Sequence, residues 1–488
     1  MGRDRWFSIS FWVCCALLAV PLWSVEYLPM ADLPQHAAQI SIWTRWSDPE
    51  LGYQQIYLRN WFTPYLFGYL LTVALTPFMT VKAALTTVIT AAVVGVPLAT
   101  RFLIREVGGN KWWVFAVFPS VFGFAFDWGF FNFLVGIPLA LVLMVLALRY
   151  ARNPTRRFGV YLMAGFAGLF FVHILLFIYV ALILGITILA KREDWKPGVL
   201  SLLPVIALLP LVLFWLLVTR DTEALTHRAM IWELPNLTPR LVRLFSEVAG
   251  DATSLWTLFA GALAFALPWF LGARPSRQPT RWIPFATTLF VFLVVPHEFL
   301  GTAFLYSRFA VFAIPTWLYA MEPTRDEVVA SVRLLLGPAL AITCTFMTTL
   351  QFWSYEPEVV GLGDVIDRMP ANARVLSVPL HRNSAHIRTP VFLHTPVWYQ
   401  AEKGGVVDFS FAINFPLLFR YRPEAEPRIP RMFVWNPGLL DWQEHGGPTY
   451  DYFLVREFSK EPSVFLASIG APVTFIGRSG PWQLFKRN

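Results

Sequence analysis

The stretch Asn132-Phe-Leu-Val-Gly-Ile-Pro-Leu-Ala-Leu-Val-Leu-Met-Val-Leu-Ala-Leu-Arg149 decides the fold. It carries no charge until its last residue, and a bilayer's hydrocarbon is crossed by about 20 such residues. It ends on Arg149, Arg152, Arg156 and Arg157, a cluster of the kind retained on the cytoplasmic side. Similar apolar runs lie at 7–28, 61–79, 81–103, 112–126, 158–172, 174–190, 197–218, 252–272, 282–296, 303–320 and 330–352. Of 488 residues, 56% are hydrophobic and only 14% charged, against roughly 25% charged in a soluble domain. Disordered, collagen-like and disulfide-rich classes are excluded, and so is a single membrane anchor. The net charge of +8 reads as cytoplasmic loops and not as nucleic-acid binding. The three cysteines, Cys14, Cys15 and Cys344, sit inside apolar runs and form no disulfide framework.

Orientation follows from the basic clusters. Arg3 and Arg5 before the first run make it a signal-anchor helix with its N-terminus inside. The clusters Arg101/Arg105/Lys111, Arg149–Arg157, Lys191/Arg192/Lys196 and Arg274/Arg277/Arg281 all fall inside if 61–79 is interfacial or re-entrant. Pro64, Gly68 and the flanking aromatics suit that role. The expectation is therefore a mainly α, polytopic membrane protein with about 11 transmembrane helices. Residues 1–354 form the membrane module, with 29–80 an outer loop holding juxtamembrane helices. Residues 355–488 form a small α/β or α+β domain outside. Its strands are predicted at Arg374-Val-Leu-Ser-Val, Tyr452-Phe-Leu-Val-Arg, Val473-Thr-Phe-Ile-Gly and Trp482-Gln-Leu-Phe. No internal repeat suggests an inverted-repeat transporter.

The scarce polar residues of the outer side are the candidates for chemistry. Asp32 and His36, in Asp-Leu-Pro-Gln-His, are four apart and share a helix face, although Asp32 alone would serve as an N-cap. Asp127 and Asn132 lie among aromatics and glycine, where polar groups at membrane depth need partners. His173 stands alone in an apolar run, the usual setting of a packing histidine. Pro296-His297-Glu298 precedes Arg308, whose guanidinium suits a phosphate or carboxylate unless Glu298 pairs with it. The loop 221–250, with His227, Arg228, Glu233, Arg240 and Arg243, reads mainly as solvated surface. His381, His386 and His394 are spread through a strand-loop region and are assigned no metal. No phosphate-binding loop, dinucleotide fingerprint, zinc motif or nucleophile elbow occurs, which argues against nucleotide chemistry.

This arrangement resembles the type-C superfamily of integral-membrane glycosyltransferases. The resemblance covers most of the chain. It rests on Asp32 in a long first outer loop, Asp127 in the second, the juxtamembrane segments 34–46 and 61–79, and the outer C-terminal domain. The phrases Trp128-Gly-Phe-Phe-Asn132-Phe and Pro296…Gly301…Arg308 are similar to uncharacterised bacterial proteins of this type. The resemblance implies transfer of a sugar from a polyprenyl-phosphate donor to a glycan, lipid or protein acceptor outside the cytoplasmic membrane, with inversion. It casts Asp32 as base and Arg308 as holder of the donor phosphate. Asp127, His36, Asn132, His173, His297 and Glu298 would then act as further catalytic or orienting groups. Better-known branches carry an adjacent acidic pair where Asp32 stands alone, which leaves a divalent metal (Mg or Mn) an open question. A transporter or lipid flippase, or an envelope-assembly scaffold, are the alternatives.

Overall fold

A computed structural model describes residues 2–191, 200–219, 237–250, 254–299, 302–324, 332–413, 417–430, 432–459 and 461–488. His227, Arg228, Glu233 and Gly301 lie outside the described residues. The chain divides into two compact units. The first comprises Met1–Trp23, Pro64–Gly68 and Thr87–Thr349, and the second Ser24–Thr63, Tyr69–Thr86 and Leu350–Asn488.

Among the described residues, five helical segments are long and apolar enough to cross a membrane: Arg3–Trp23, Val81–Glu106, Phe131–Arg152, Ile174–Lys191 and Arg333–Asp367. The expectation of about 11 spans is thus corrected. Counting apolar runs cannot separate a helix that faces lipid from a segment that faces protein. The run at 112–126 shows the difference. It forms a 3-10 helix, Lys111–Phe122, in which every residue but Lys111 is buried. Runs 252–272 and 282–296 give helices of only 16 and 12 residues, Leu255–Phe270 and Ile283–Val294. The run 303–320 becomes a buried 3-10 turn, Ser307–Phe312, followed by the seven-residue helix Ala313–Tyr319. The segment 61–79 holds only the ten-residue helix Leu66–Leu75.

The first unit is built around these interior pieces. Arg152 Nη1 lies 2.9 Å from Glu106 Oε1, so the carboxyl ends of Val81–Glu106 and Phe131–Arg152 meet. The chain between them must run back along the full length of the second helix, about 33 Å at 1.5 Å per residue. The 3-10 helix covers about 24 Å of that return at ~2.0 Å per residue. Trp113 anchors it by donating its indole N–H to the Leu271 carbonyl at 3.2 Å. The helices Leu237–Ala249 and Leu255–Phe270 touch backbone to backbone. A Cβ on Gly261 would sit 1.9 Å from the Phe245 carbonyl oxygen, so only glycine permits that approach.

The second unit carries the sheet. Its strands are β1 (Arg374–Val378), β2 (Val406–Val407), β3 (Tyr452–Arg456), β4 (Val473–Ser479) and β5 (Trp482–Arg487), in spatial order β2-β1-β3-β5-β4. β1 runs parallel to β2 and β3, while β5 is antiparallel to β3 and β4. Leu376, Val378, Phe453, Val455 and Phe485 bury one face against Phe433, Trp442 and Tyr450. Four of the five strands are those the alternation predicts. β2 escapes because two residues carry no period. A short antiparallel ribbon pairs Tyr57–Arg59 with Phe419–Tyr421 in the same unit.

Candidate functional site

Asp32, His36 and His394 meet in the second unit. Asp32 occupies the N-cap of the helix Leu33–Thr44, with Pro34 in its first turn, but its side chain makes no capping bond. Only its backbone carbonyl serves the helix, accepting from the amides of Gln35 and His36. The carboxylate instead lies 3.6 Å from His394 Nε2, with 14% of the Asp32 side chain exposed. One turn on, His36 Nδ1 lies 2.7 Å from the buried Tyr69 hydroxyl. Helical spacing thus points two polar heads the same way, and each meets a side chain far off in sequence.

Glutamines on the same helix fix this arrangement. Gln35 donates its amide N–H to the Phe409 carbonyl at 3.2 Å and accepts from the Phe411 amide at 3.0 Å. Gln39 does the same at Phe419, donating to its carbonyl at 3.4 Å and accepting from its amide at 2.9 Å. Both glutamines are buried, so these bonds satisfy groups that would otherwise cost free energy. The irregular segment so held supplies the walls around His394. Phe409 stacks parallel on its ring at 5.1 Å, and Phe411 meets it edge-on at 5.6 Å. Burial lowers the His394 imidazole to about 3, so the ring is neutral at pH 7. Its Nδ1 has no hydrogen-bond partner among the described residues. Asp408, next to Phe409, accepts from the Ser377 amide at 2.7 Å, and burial raises its carboxyl to about 7.

A carboxyl oxygen beside a neutral imidazole, walled by aromatics, is an arrangement suited to accepting a proton from a hydroxyl. Among the described residues no three His, Cys, Asp or Glu side chains converge to hold an ion.

The remaining candidates belong to the first unit, and most of them serve the main chain. His173 caps a hairpin. Its amide donates to the Leu169 carbonyl at the end of Arg156–Val172. Its Nδ1 accepts from the Leu175 amide at 3.2 Å, at the start of Ile174–Lys191. Tyr65 and Phe133 pack edge-on to its ring. Arg308 donates to the Ala303 carbonyl at 2.9 Å, and its guanidinium lies 3.6 Å over the Phe130 ring. Glu298 makes no ion pair among the described residues, so the alternative pairing with Arg308 is not formed. His297 packs edge-on to Phe304 at 4.8 Å, and Phe304 in turn lies 4.1 Å from Trp128.

Asp127 ends the short helix Phe124–Asp127, with Oδ2 facing Gly250. Asn132 is buried, and its Oδ1 has no partner among the described residues. It is 2.5 Å from the place a Cβ on Gly68 would take, so Gly68 keeps that room open.

Sequence reasoning missed two features. His394 lies in a stretch without periodicity, and nothing local couples it to Asp32. Arg240 was expected on a solvated loop, yet it is buried on the helix Leu237–Ala249. Its Nη1 donates to the carbonyls of Phe292, Leu293 and Val295 at 3.3, 3.0 and 2.9 Å, closing the end of Ile283–Val294. The available signal was helical spacing: Arg240, Leu244, Glu247 and Val248 are all buried along one face.

Comparison with protein families finds no match, and comparison with curated proteins finds no similar chain.

Proposed function

We propose that the protein is a multi-pass membrane glycosyltransferase that moves a sugar from a polyprenyl-phosphate donor to an extracytoplasmic acceptor, a glycan, lipid or protein. The observation that carries this reading is the Asp32 carboxylate, turned away from its own helix and held 3.6 Å from neutral His394. The acceptor oxygen attacks the anomeric carbon, and its proton passes to Asp32. The bond from that carbon to the donor phosphate breaks, and the phosphate leaves with the electron pair. Attack opposite the leaving group inverts the anomeric centre. The charge that develops needs a fixed carboxylate and no strong acid, because phosphate leaves readily.

His394 is given the task of orienting Asp32, and His36 with Tyr69 that of shaping the acceptor side. On this reading the N-terminus lies in the cytoplasm and residues 355–488 lie outside. The test is sugar transfer from a radiolabelled polyprenyl-phosphate donor in membranes bearing the wild type or Asp32→Asn. Loss of transfer with normal insertion supports the reading. Full retention by the inserted variant removes Asp32 as base. Movement of the intact donor across the bilayer by the wild type, without transfer, would instead establish a flippase.

A further inference from the structure

The first unit holds a cavity of about 290 Å³ lined by Glu106, Leu148, Arg152, Lys191, Arg281 and Tyr319, among others. That is near the lower end of the volumes of small-molecule sites, roughly 300 Å³. It opens where three membrane-length helices end, at Glu106, Arg152 and Lys191. Three cations therefore face one carboxylate, and that carboxylate is already engaged twice. Glu106 takes Arg152 at 2.9 Å and Arg149 at 2.6 Å. Lys191 makes no ion pair among the described residues. Gln278 and Thr280, also on the wall, keep their side-chain amide and hydroxyl unengaged among the described residues. The Tyr319 hydroxyl accepts from Arg152 at 3.3 Å and retains its own proton to donate. Arg281 is fixed by the main chain, donating Nε–H to the Tyr319 carbonyl at 3.2 Å.

The helix ends themselves oppose an anion, since each carries a partial negative charge of about half a unit. Arg152 and Lys191, in the last turns, offset that charge. What then decides the balance is Arg281, which belongs to none of the three helices. Burial pulls its guanidinium below the ordinary range, and Arg152 adds to this against Tyr319 and Glu322. An anion in the cavity relieves that strain.

We infer that this cavity binds a phosphate group, through Arg152, Lys191 and Arg281 with the hydroxyl and amide donors between them. Donors arriving from several directions suit a tetrahedral oxyanion better than a planar carboxylate. Its position at the ends of membrane-length helices is the depth of lipid headgroups, where basic pockets take anionic lipids. The inference is independent of the glycosyl-transfer reading and involves none of its residues.

Native mass spectrometry of the full chain in detergent tests it, with phosphatidylglycerol, phosphatidylcholine and inorganic phosphate as probes. The wild type is expected to retain phosphatidylglycerol over phosphatidylcholine by about fivefold or more, and Lys191→Gln to cut that retention about fivefold. Gln278→Glu, which adds a carboxylate to the wall without touching a cation, is expected to do the same. Competition by inorganic phosphate supports recognition of the phosphate group. Saturable binding of inorganic phosphate without any lipid preference supports the same site with a free anion as its source. Neither binding nor preference in the wild type, or full retention in both folded variants, overturns the inference.

Discussion

Three polar side chains of the first unit and three of the second are used in different ways. In the first unit, Arg240, His173 and Arg308 spend their hydrogen bonds on backbone carbonyls and amides. They bond main-chain groups that helix ends and turns leave unpaired in apolar surroundings. In the second unit, Asp32, His36 and His394 meet other side chains, and the backbone around them is satisfied by Gln35 and Gln39. The difference teaches how to weigh a rare polar residue in an apolar chain. One that answers a broken helix end is explained by the fold. One whose helix is already satisfied is available for chemistry.

The comparison can be broken most decisively at the backbone. Gly261→Ala places a Cβ against the Phe245 carbonyl and is predicted to cost about 3 kcal/mol or more, read as lost yield and a lower melting temperature in detergent. An unchanged melting temperature would show that the two helices are not in backbone contact. Asp32→Asn is predicted to lower transfer by about 10²-fold or more while leaving the melting temperature within a few degrees. Arg240→Met should behave in the reverse manner. It leaves one buried and two partly buried carbonyls short of a donor, an expected loss of about 2 kcal/mol, and any fall in transfer should follow the folded fraction. Equal effects of both variants on turnover per folded molecule would dissolve the distinction between the units.

The smallest effects lie in the pH dependence of the second unit. His394 is lowered from 6.5 to about 3 in the fold. The unfolded chain therefore binds the extra proton, and stability falls as pH drops from 6.5 toward 3. Asp408 is raised from 3.8 to about 7, so the folded state holds the extra proton and stability falls as pH rises across 3.8 to 7. The two slopes oppose each other near pH 5. His394→Phe is expected to leave only the decline with rising pH, and Asp408→Asn only the decline with falling pH. Melting temperatures measured from pH 4 to 7.5 separate them, and parallel curves for both variants would refute the burial of these groups.

How much of this was legible in the sequence depended on whether the signal was local. The strands at 374–378, 452–456, 473–479 and 482–487 show themselves by alternation. Leu33–Thr44 shows itself by Asp32 and Pro34 at its start. The span count did not survive, because Lys111–Phe122 and Ser307–Tyr319 are largely apolar runs that the protein itself encloses. Asp32 was visible as a candidate. The side chain it faces was not, because the two are hundreds of residues apart and His394 sits in irregular chain. Arg240 was misread for a related reason: its burial depends on carbonyls of a helix more than fifty residues away.

The 3-10 helix Lys111–Phe122 bears on how the chain is made. Trp113 bonds to Leu271, 158 residues further on. At 5–20 residues per second, a ribosome needs about 10–30 seconds to deliver that partner. Through that interval the segment has left the ribosome without the neighbours that enclose it. Its aromatic surface must then be sheltered by lipid or by the insertion machinery. Slowing translation between residues 113 and 271 is expected to lengthen that interval and lower the yield of inserted protein.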